Sequence, residues 1–513
     1  MHTIQGPTDH VVVIGAGLAG LSTALHLAGR GRAVTVVERE AWPGGRAGRL
    51  DIEGYRIDTG PTVLTMPDII DDVFAAVGET SSDRLDLLPV EPAYHAVFAD
   101  GSSLDVHCDA ERMASAIHEF AGSRQAAGYR RLRKWLTRLY RTEMDGFIAA
   151  NFDSPLSLLT PQLARLAAIG GFRNWDAKVG RYLSDPRLRR VFTFQSLYAG
   201  VAPHDALAAY AVIAYMDTIS GVFFPRGGVR ALPDALAAAG ACAGVQFHYR
   251  CSVTELERSG NRITAVRTDR EQRIPCDAVV LTTELPTTYR LLGRTPRRIR
   301  PLRASPSAVV VHAGCPSVAS ADRAMAHHTI LFGAAWEQTF TDIIRDGRLM
   351  RDPSLLVTRP TATDPTLAPT GHDLFYLLAP APNLAAGTID WSTAGAPYAE
   401  SIIDTVADRL LPQLRHGTDV LDVVTPLDWA RRGMTAGTPF ALAHTFGQTG
   451  PFRPANTLRG IDNAVLAGSS TIPGVGVPTT LVSGRLAADR ITGEVSRPPR
   501  HFDLKADTKA QIS

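Results

Sequence analysis

The residues best placed for chemistry stand near the N-terminus. Gly15, Gly17 and Gly20 fall in G-x-G-x-x-G spacing, with Ala16, Leu18 and Ala19 between them. Glu38 and Arg39 follow, and then Gly44-Gly45-Arg46. Glycines at this spacing suit a phosphate: Gly15 makes the tight turn, Gly17 lets backbone approach a pyrophosphate, and Gly20 lets a helix pack closely on a strand. An acid about twenty residues further on is placed to meet ribose hydroxyls. The elements that must position these groups are legible around them. Val11-Val12-Val13-Ile14 reads as a buried parallel strand, Leu21 to Ala28 as an apolar helix, and Ala33 to Val37 as a second strand ending at Glu38. The free N–H groups at the helix start and the positive end of its dipole complete an anion site.

A nicotinamide site has no use for the second glycine pair. Gly44-Gly45-Arg46 fits a turn passing over a diphosphate, with Arg46 as a charge partner, and this favours FAD over NAD. Glu38 would repel a 2′-phosphate. Downstream, Thr59-Gly60-Pro61-Thr62 is a turn whose backbone could approach a flavin.

The chain has 513 residues, 45% hydrophobic and 20% charged, which is too long for one ordinary domain. A net charge of +2 gives no case for nucleic acid. The five cysteines are scattered without a C-x-x-C pair, which suits a reduced, cytosolic protein without a metal site. His327-His328 lacks carboxylates or thiols at ligand spacing. The polar N-terminus leads straight into the first strand, so no signal peptide is expected. No apolar run is long enough to span a bilayer, so membrane contact would be peripheral.

The expected class is α/β: a Rossmann-like FAD-binding domain interleaved with a mixed-sheet substrate domain and a helical insertion that could face a membrane. Residues 1–80 form the first cofactor segment and 85–108 supply substrate-domain strands. Residues 109–225 form the helical insertion and 226–290 return to the cofactor domain. Residues 291–445 belong to the substrate domain, 446–495 close the cofactor domain, and 496–513 form a disordered tail. Within the insertion, residues 120–142 carry seven basic side chains and no acid, with Leu132, Trp135, Leu136, Leu139 and Tyr140 at helical spacing. That pattern suits an anionic membrane surface or, equally simply, a helix with its apolar stripe in the core and its arginines in water.

Near the C-terminus, Ala464 to Ala467 reads as a buried strand and Gly468 to Pro478 as a glycine- and proline-rich loop. A helix starts behind Pro478. Gly468, Ser469, Gly476, Val477 and Pro478 would bring a second helix N-terminus to the flavin pyrimidine edge, where negative charge gathers on reduction.

Four blocks together resemble the bacterial-type phytoene desaturases, flavin-dependent carotenoid desaturases related to the amine oxidase flavoproteins. They are VVVIGAGLAGLSTALHLAGRGRAVTVVEREAWPGGRAG, DTGPTVLTMPDII, FFPRGGVRALPDAL and FRPANTLRGIDNAVLAGSSTIPGVGVPTTLVSGRLAADRI. The resemblance implies stepwise desaturation of phytoene, a C40 polyene drawn from the membrane, towards neurosporene or lycopene. It implies that the enzyme sits on the inner face of the cell membrane and that oxygen or a quinone reoxidises the flavin. It also implies that Val253 meets the adenine through its backbone. Ile472 stands where family members often carry a polar residue. A hydrocarbon offers no handle for a nucleophile or a metal, so the cofactor carries the hard step, and no acid–base dyad is expected. Asp58, Glu284 and His444 read as structural polar residues. The rival readings are a carotenoid ketolase or oxygenase, a carotene isomerase, an amine oxidase, and a non-catalytic prenyl-binding escort protein.

Overall fold

The computed structural model describes residues 1–296, 301–317, 325–415 and 417–495. The segment 496–513, expected as a tail, lies outside the described residues.

Five parallel strands form the sheet that carries the glycine motif. Across it run Gln246–His248, Ala33–Val37, His10–Ile14, Ala278–Leu281 and Ala464–Leu466. One sheet thus gathers strands from both ends and the middle of the chain. Val11, Val12, Val13 and all of Ala278–Leu281 are wholly buried, as a parallel sheet covered on both faces requires. Helix Leu18–Ala28 packs against Ala231–Cys242 and Val477–Thr492. The last contact is close. A methyl group on Gly484 would lie 2.5 Å from the Ala19 carbonyl oxygen, and Ser22 Oγ donates to the Leu481 carbonyl at 2.7 Å.

A second sheet has seven strands, in the order Asp419–Val424, Ser307–Pro316, His372–Ala381, Leu355–Thr358, His328–Phe332, Tyr94–Phe98 and Ser103–Val106. All pairings are antiparallel except that of His328–Phe332 with Tyr94–Phe98. Strand side chains alternate between faces. Val309, Val311, Phe375 and Leu377 pack with Ile402 and Val406 of helix Trp391–Arg409. The opposite face therefore carries Val310, Leu378, Leu356 and Ile330, beside a polar row of His312, Tyr376, Thr358 and His328. The sequence suggests a helix over residues 398–411, after Pro397. It begins earlier because the Asp390 carboxylate accepts the Ser392 N–H and caps it, leaving Pro397 inside.

The 110–218 stretch is helical, and its first helix, Ala110–Ala121, packs on the strand Ser103–Val106. In Ser123–Glu143, Leu132, Trp135, Leu136, Leu139 and Tyr140 are all buried. Trp135 Nε1 donates to the Ile169 carbonyl at 2.9 Å. Its aromatic residues are core residues rather than interfacial ones, while Arg131, Lys134, Arg138 and Arg141 remain exposed. No helix of the described residues is long and apolar enough to cross a membrane.

Candidate functional site: a two-turn cofactor crevice

The order of the five-stranded sheet reverses direction at His10–Ile14. From there the chain winds outward through Ala33–Val37 on one side and later through Ala278–Leu281 on the other. The crevice outside the carboxyl ends of these strands is where doubly wound sheets bind ligands.

Both glycine turns lie there and touch. Gly44 N–H donates to the Ala16 carbonyl at 2.8 Å, and Gly44 pairs with Gly17 as an isolated bridge. Each glycine position has a distinct steric reason. A side chain on Gly20 would overlap the Gly15 carbonyl oxygen, so the helix–strand approach demands glycine. At Gly17 an added methyl would meet nothing within 4 Å. Open space at that point is what a diphosphate needs. Helix Leu18–Ala28 starts at Gly17 with no side-chain cap. Its first N–H groups therefore suit an anion.

Glu38 is buried. Its carboxylate accepts the Ala16 N–H at 2.7 Å and the Glu40 N–H at 2.9 Å, so it braces the glycine turn. A carboxylate has about four lone-pair sites, so capacity for ribose hydroxyls remains. Arg39 turns away, to Glu40 and to the Arg432 carbonyl at 3.1 Å. Val253 opens the strand Val253–Ser259 and packs against the buried cluster that contains Ile14, Val37 and Leu281.

The other side of the crevice is built from three distant segments. Arg46 Nη1 donates to Ser469 Oγ at 2.6 Å, and Arg46 Nη2 pairs with Glu284. The second Glu284 oxygen accepts from Ser470 Oγ and Thr435 Oγ1, each at 3.1 Å. Glu284 follows the strand Ala278–Leu281 and precedes helix Leu285–Leu291, so it stands at the crevice mouth. From sequence alone Glu284 reads as a structural polar residue. Its place just past a central parallel strand, in Thr-Thr-Glu-Leu-Pro, was the available signal.

The loop after Ala464–Leu466 is fixed from behind by Arg453, which is 2% exposed. Its guanidinium donates to the carbonyls of Ser469 at 2.6 Å and Thr471 at 2.8 Å, with longer bonds to Leu442 and Gln448. Burial, outweighing the nearby Tyr210 and Glu284, lowers its pKa to about 10. Gly468, Ser469, Gly476, Val477 and Pro478 line the run into helix Val477–Thr492, whose start at Gly476 also has no side-chain cap. Thr59, Gly60, Pro61 and Thr62 run from the Arg46–Gly48 turn to the seven-stranded sheet. A side chain on Gly60 would overlap the Arg46 carbonyl, and Thr62 Oγ1 bonds His328 Nε2 at 2.8 Å. Thr363 Oγ1 bonds His327 Nδ1 at 2.7 Å.

Asp58 precedes Thr59 and ties this segment to another helix. It accepts the Val229 and Arg230 N–H groups at 2.7 and 3.2 Å, at the start of helix Ala231–Cys242, and burial raises its pKa to about 7.

The residues present fit a flavin dinucleotide. There is open backbone at Gly17, a cation at Arg46 with 29% of its side chain exposed, and an acid at Glu38.

Comparison with known proteins gives a consistent result. Residues 18–492 match the family of flavin containing amine oxidoreductases. A phytoene dehydrogenase of Streptomyces griseus is 62% identical over 506 residues, covering 98% of each chain. A zeta-carotene-forming phytoene desaturase of Myxococcus xanthus is 34% identical, covering 94% of this chain and 93% of its own. Among solved structures, an oxidoreductase from Methanosarcina mazei superposes with a TM-score of 0.58 at 16% identity, covering 93% of this chain and 99% of that one. That last likeness concerns the fold alone.

Proposed function

Because the chain belongs to the flavin containing amine oxidoreductase family, and within it to the phytoene desaturases, we propose that it desaturates phytoene stepwise towards neurosporene or lycopene. It is an FAD-dependent oxidoreductase. The observation that carries the reading is the meeting of Arg46, Glu284 and Ser469, which closes three remote segments around one crevice.

Bound FAD supplies the hydride acceptor that a hydrocarbon substrate requires. The protein's own residues do the rest. The Gly17 and Gly44 turns and the two helix starts would hold the diphosphate and pyrimidine ends. Val253 would meet the adenine, Glu38 the ribose, and Arg46 the charge. Glu284, Ser470 and Thr435 fix the Arg46 guanidinium, so its direction is set before the cofactor arrives. On the face opposite helix Trp391–Arg409, the half-buried Leu378 and Leu356 offer an apolar surface against which a polyene can lie without water, while Trp429 covers Val310. A non-catalytic escort would need neither glycine turn, and both are intact.

The substrate dissolves in lipid, so the enzyme must meet a bilayer. Leu156, Leu159 and Phe446 are 74%, 76% and 65% exposed, and Phe452 is 40% exposed. Exposed apolar groups gathered near the turn Pro155–Leu158 are the kind that mark a contact surface. The adjoining cleft of about 330 Å³ is lined by Lys134, Arg138, Arg141 and Arg165. This surface supports peripheral docking on the anionic inner face of the cell membrane. Oxygen or a quinone would reoxidise the flavin.

The test is expression in a host that accumulates phytoene, followed by pigment analysis. Phytoene loss with appearance of a coloured polyene is the expected result. Unchanged phytoene alongside yellow, flavin-loaded protein would overturn the reading. A keto-carotenoid formed only from supplied lycopene would favour the oxygenase.

A further inference from the structure

Each new double bond releases two hydrogens from adjacent carbons. One leaves with its electron pair, as the hydride that the flavin accepts. The other leaves as a proton while its C–H pair becomes the new π bond. Something in an apolar chamber must hold that proton. Resting on the desaturase reading, we propose that the His444 imidazole is the base that takes it.

The geometry begins with the flavin-side loop. The His444 ring lies with its Cε1–Nε2 edge against Gly474, so closely that a side chain there would overlap both atoms, which leaves Nδ1 as the nitrogen that could take a proton. Gly474 belongs to the same loop whose Ser469 meets Arg46. The His444 backbone N–H donates to the Ala199 carbonyl at 2.7 Å, and the ring stands edge-on to Tyr210 at 5.6 Å. Among the described residues, no protein group bonds either ring nitrogen. The neighbouring Tyr198 keeps 37% of its surface accessible, yet surrounding protein is dense enough to push its phenol well above its ordinary value. His444, held beside Tyr198 through the Ala199 carbonyl, is itself only half-buried.

Of the other ionisable groups nearby, Glu284 is engaged by Arg46, Ser470 and Thr435, and the rest are in the wrong state. Burial raises Glu143 well above its ordinary value, and it raises Asp217 to about 8, so both hold their own protons near neutral pH. Arg453, behind the loop, is a cation, and Tyr210 is raised by burial. His444 is the opposite case. Burial, then the Arg453 charge, lowers it well below 6.5, so it keeps a free lone pair. A weak base suffices, because a carbon beside one that has lost hydride is strongly acidic. The imidazolium then returns its proton to water readily, for the same reason that it is a weak base.

The test uses FAD-loaded wild type, His444→Gln and His444→Ala, mixed without oxygen with phytoene in phosphatidylcholine vesicles. Flavin bleaching in both variants should slow on the order of a hundredfold or more, the range for a lost general base. FAD content and melting temperature should stay at wild-type values in His444→Gln. Added imidazole should partly restore His444→Ala, more so as pH rises through imidazole's own pKa. The His444 ring signal by NMR, identified by its loss in His444→Gln, should stay constant from about pH 5 to 8 because the ring is already neutral. Equal bleaching in His444→Gln, loss of its FAD, or a ring titration near 6.5 would each overturn the role. A wild-type flavin that phytoene fails to bleach would instead sink the desaturase reading, and His444's role with it.

Discussion

Replacing Arg453 by Met tests how the crevice is held together. The guanidinium makes two short bonds, to Ser469 and Thr471, and two long ones. Hydrogen bonds to a charged donor are worth about 1.5–3 kcal/mol each, so losing the short pair removes about 3–6 kcal/mol. Against this stands the burial of the cation. A guanidinium held at about 10 rather than 12.5 has given up about 3 kcal/mol of preference for its charged form, by the conversion between pKa and free energy. Methionine returns that amount. The net destabilisation is therefore about 0–3 kcal/mol, centred near 1.5, and it falls on one loop. Because that loop carries Ser469, which fixes Arg46, FAD affinity should weaken about tenfold, equivalent to 1.4 kcal/mol. Flavin titration of the apoprotein measures the affinity, and a thermal melt followed by flavin fluorescence measures the stability. Arg453→Lys should fall between, because one ammonium cannot span carbonyls that a planar fork reaches. An Arg453→Met protein with wild-type FAD affinity and an unchanged melt would refute the reasoning.

Arg46→Ala should weaken FAD binding by about 1.5–3 kcal/mol, the range for a charge-assisted bond, in the same titration. Glu284→Gln should weaken it less, since it loosens the guanidinium without removing it. Gly17→Ala should leave the apoprotein's melting temperature within about 1 kcal/mol of wild type, the scale of a local backbone effect, while abolishing tight FAD binding. Gly20→Ala should instead lower the melt of the apoprotein itself, because its side chain overlaps the Gly15 carbonyl. Asp58 gives a pH signature. Its pKa is raised from 3.8 to about 7 in the fold, so the native state binds more protons than the unfolded chain between those values. Stability attributable to this group therefore falls as pH rises through about 4 to 7 and is level above and below. Asp58→Asn should flatten that slope in melts taken across the window, and an unchanged slope would count against it.

The parallel strands, both glycine turns and the acid after the second strand were legible in the sequence because their causes are local. A strand buried on both faces must be apolar throughout, and a helix that crosses a carbonyl at Gly20 leaves no room for a side chain. Glu284 and Arg453 were not legible in that way. Each is one charged residue among many until folding brings Arg46 against the first and the Ser469 and Thr471 carbonyls against the second. The helix Ser123–Glu143 makes the same point from the other side. Its sequence fits a membrane face or a core face equally well, since periodicity says which residues share a side and not what lies opposite. Packing places Trp135 and Tyr140 in the interior. Spacing along the chain fixes what one segment can do alone, but which charge meets which oxygen across hundreds of residues is decided only when the sheets close over the crevice.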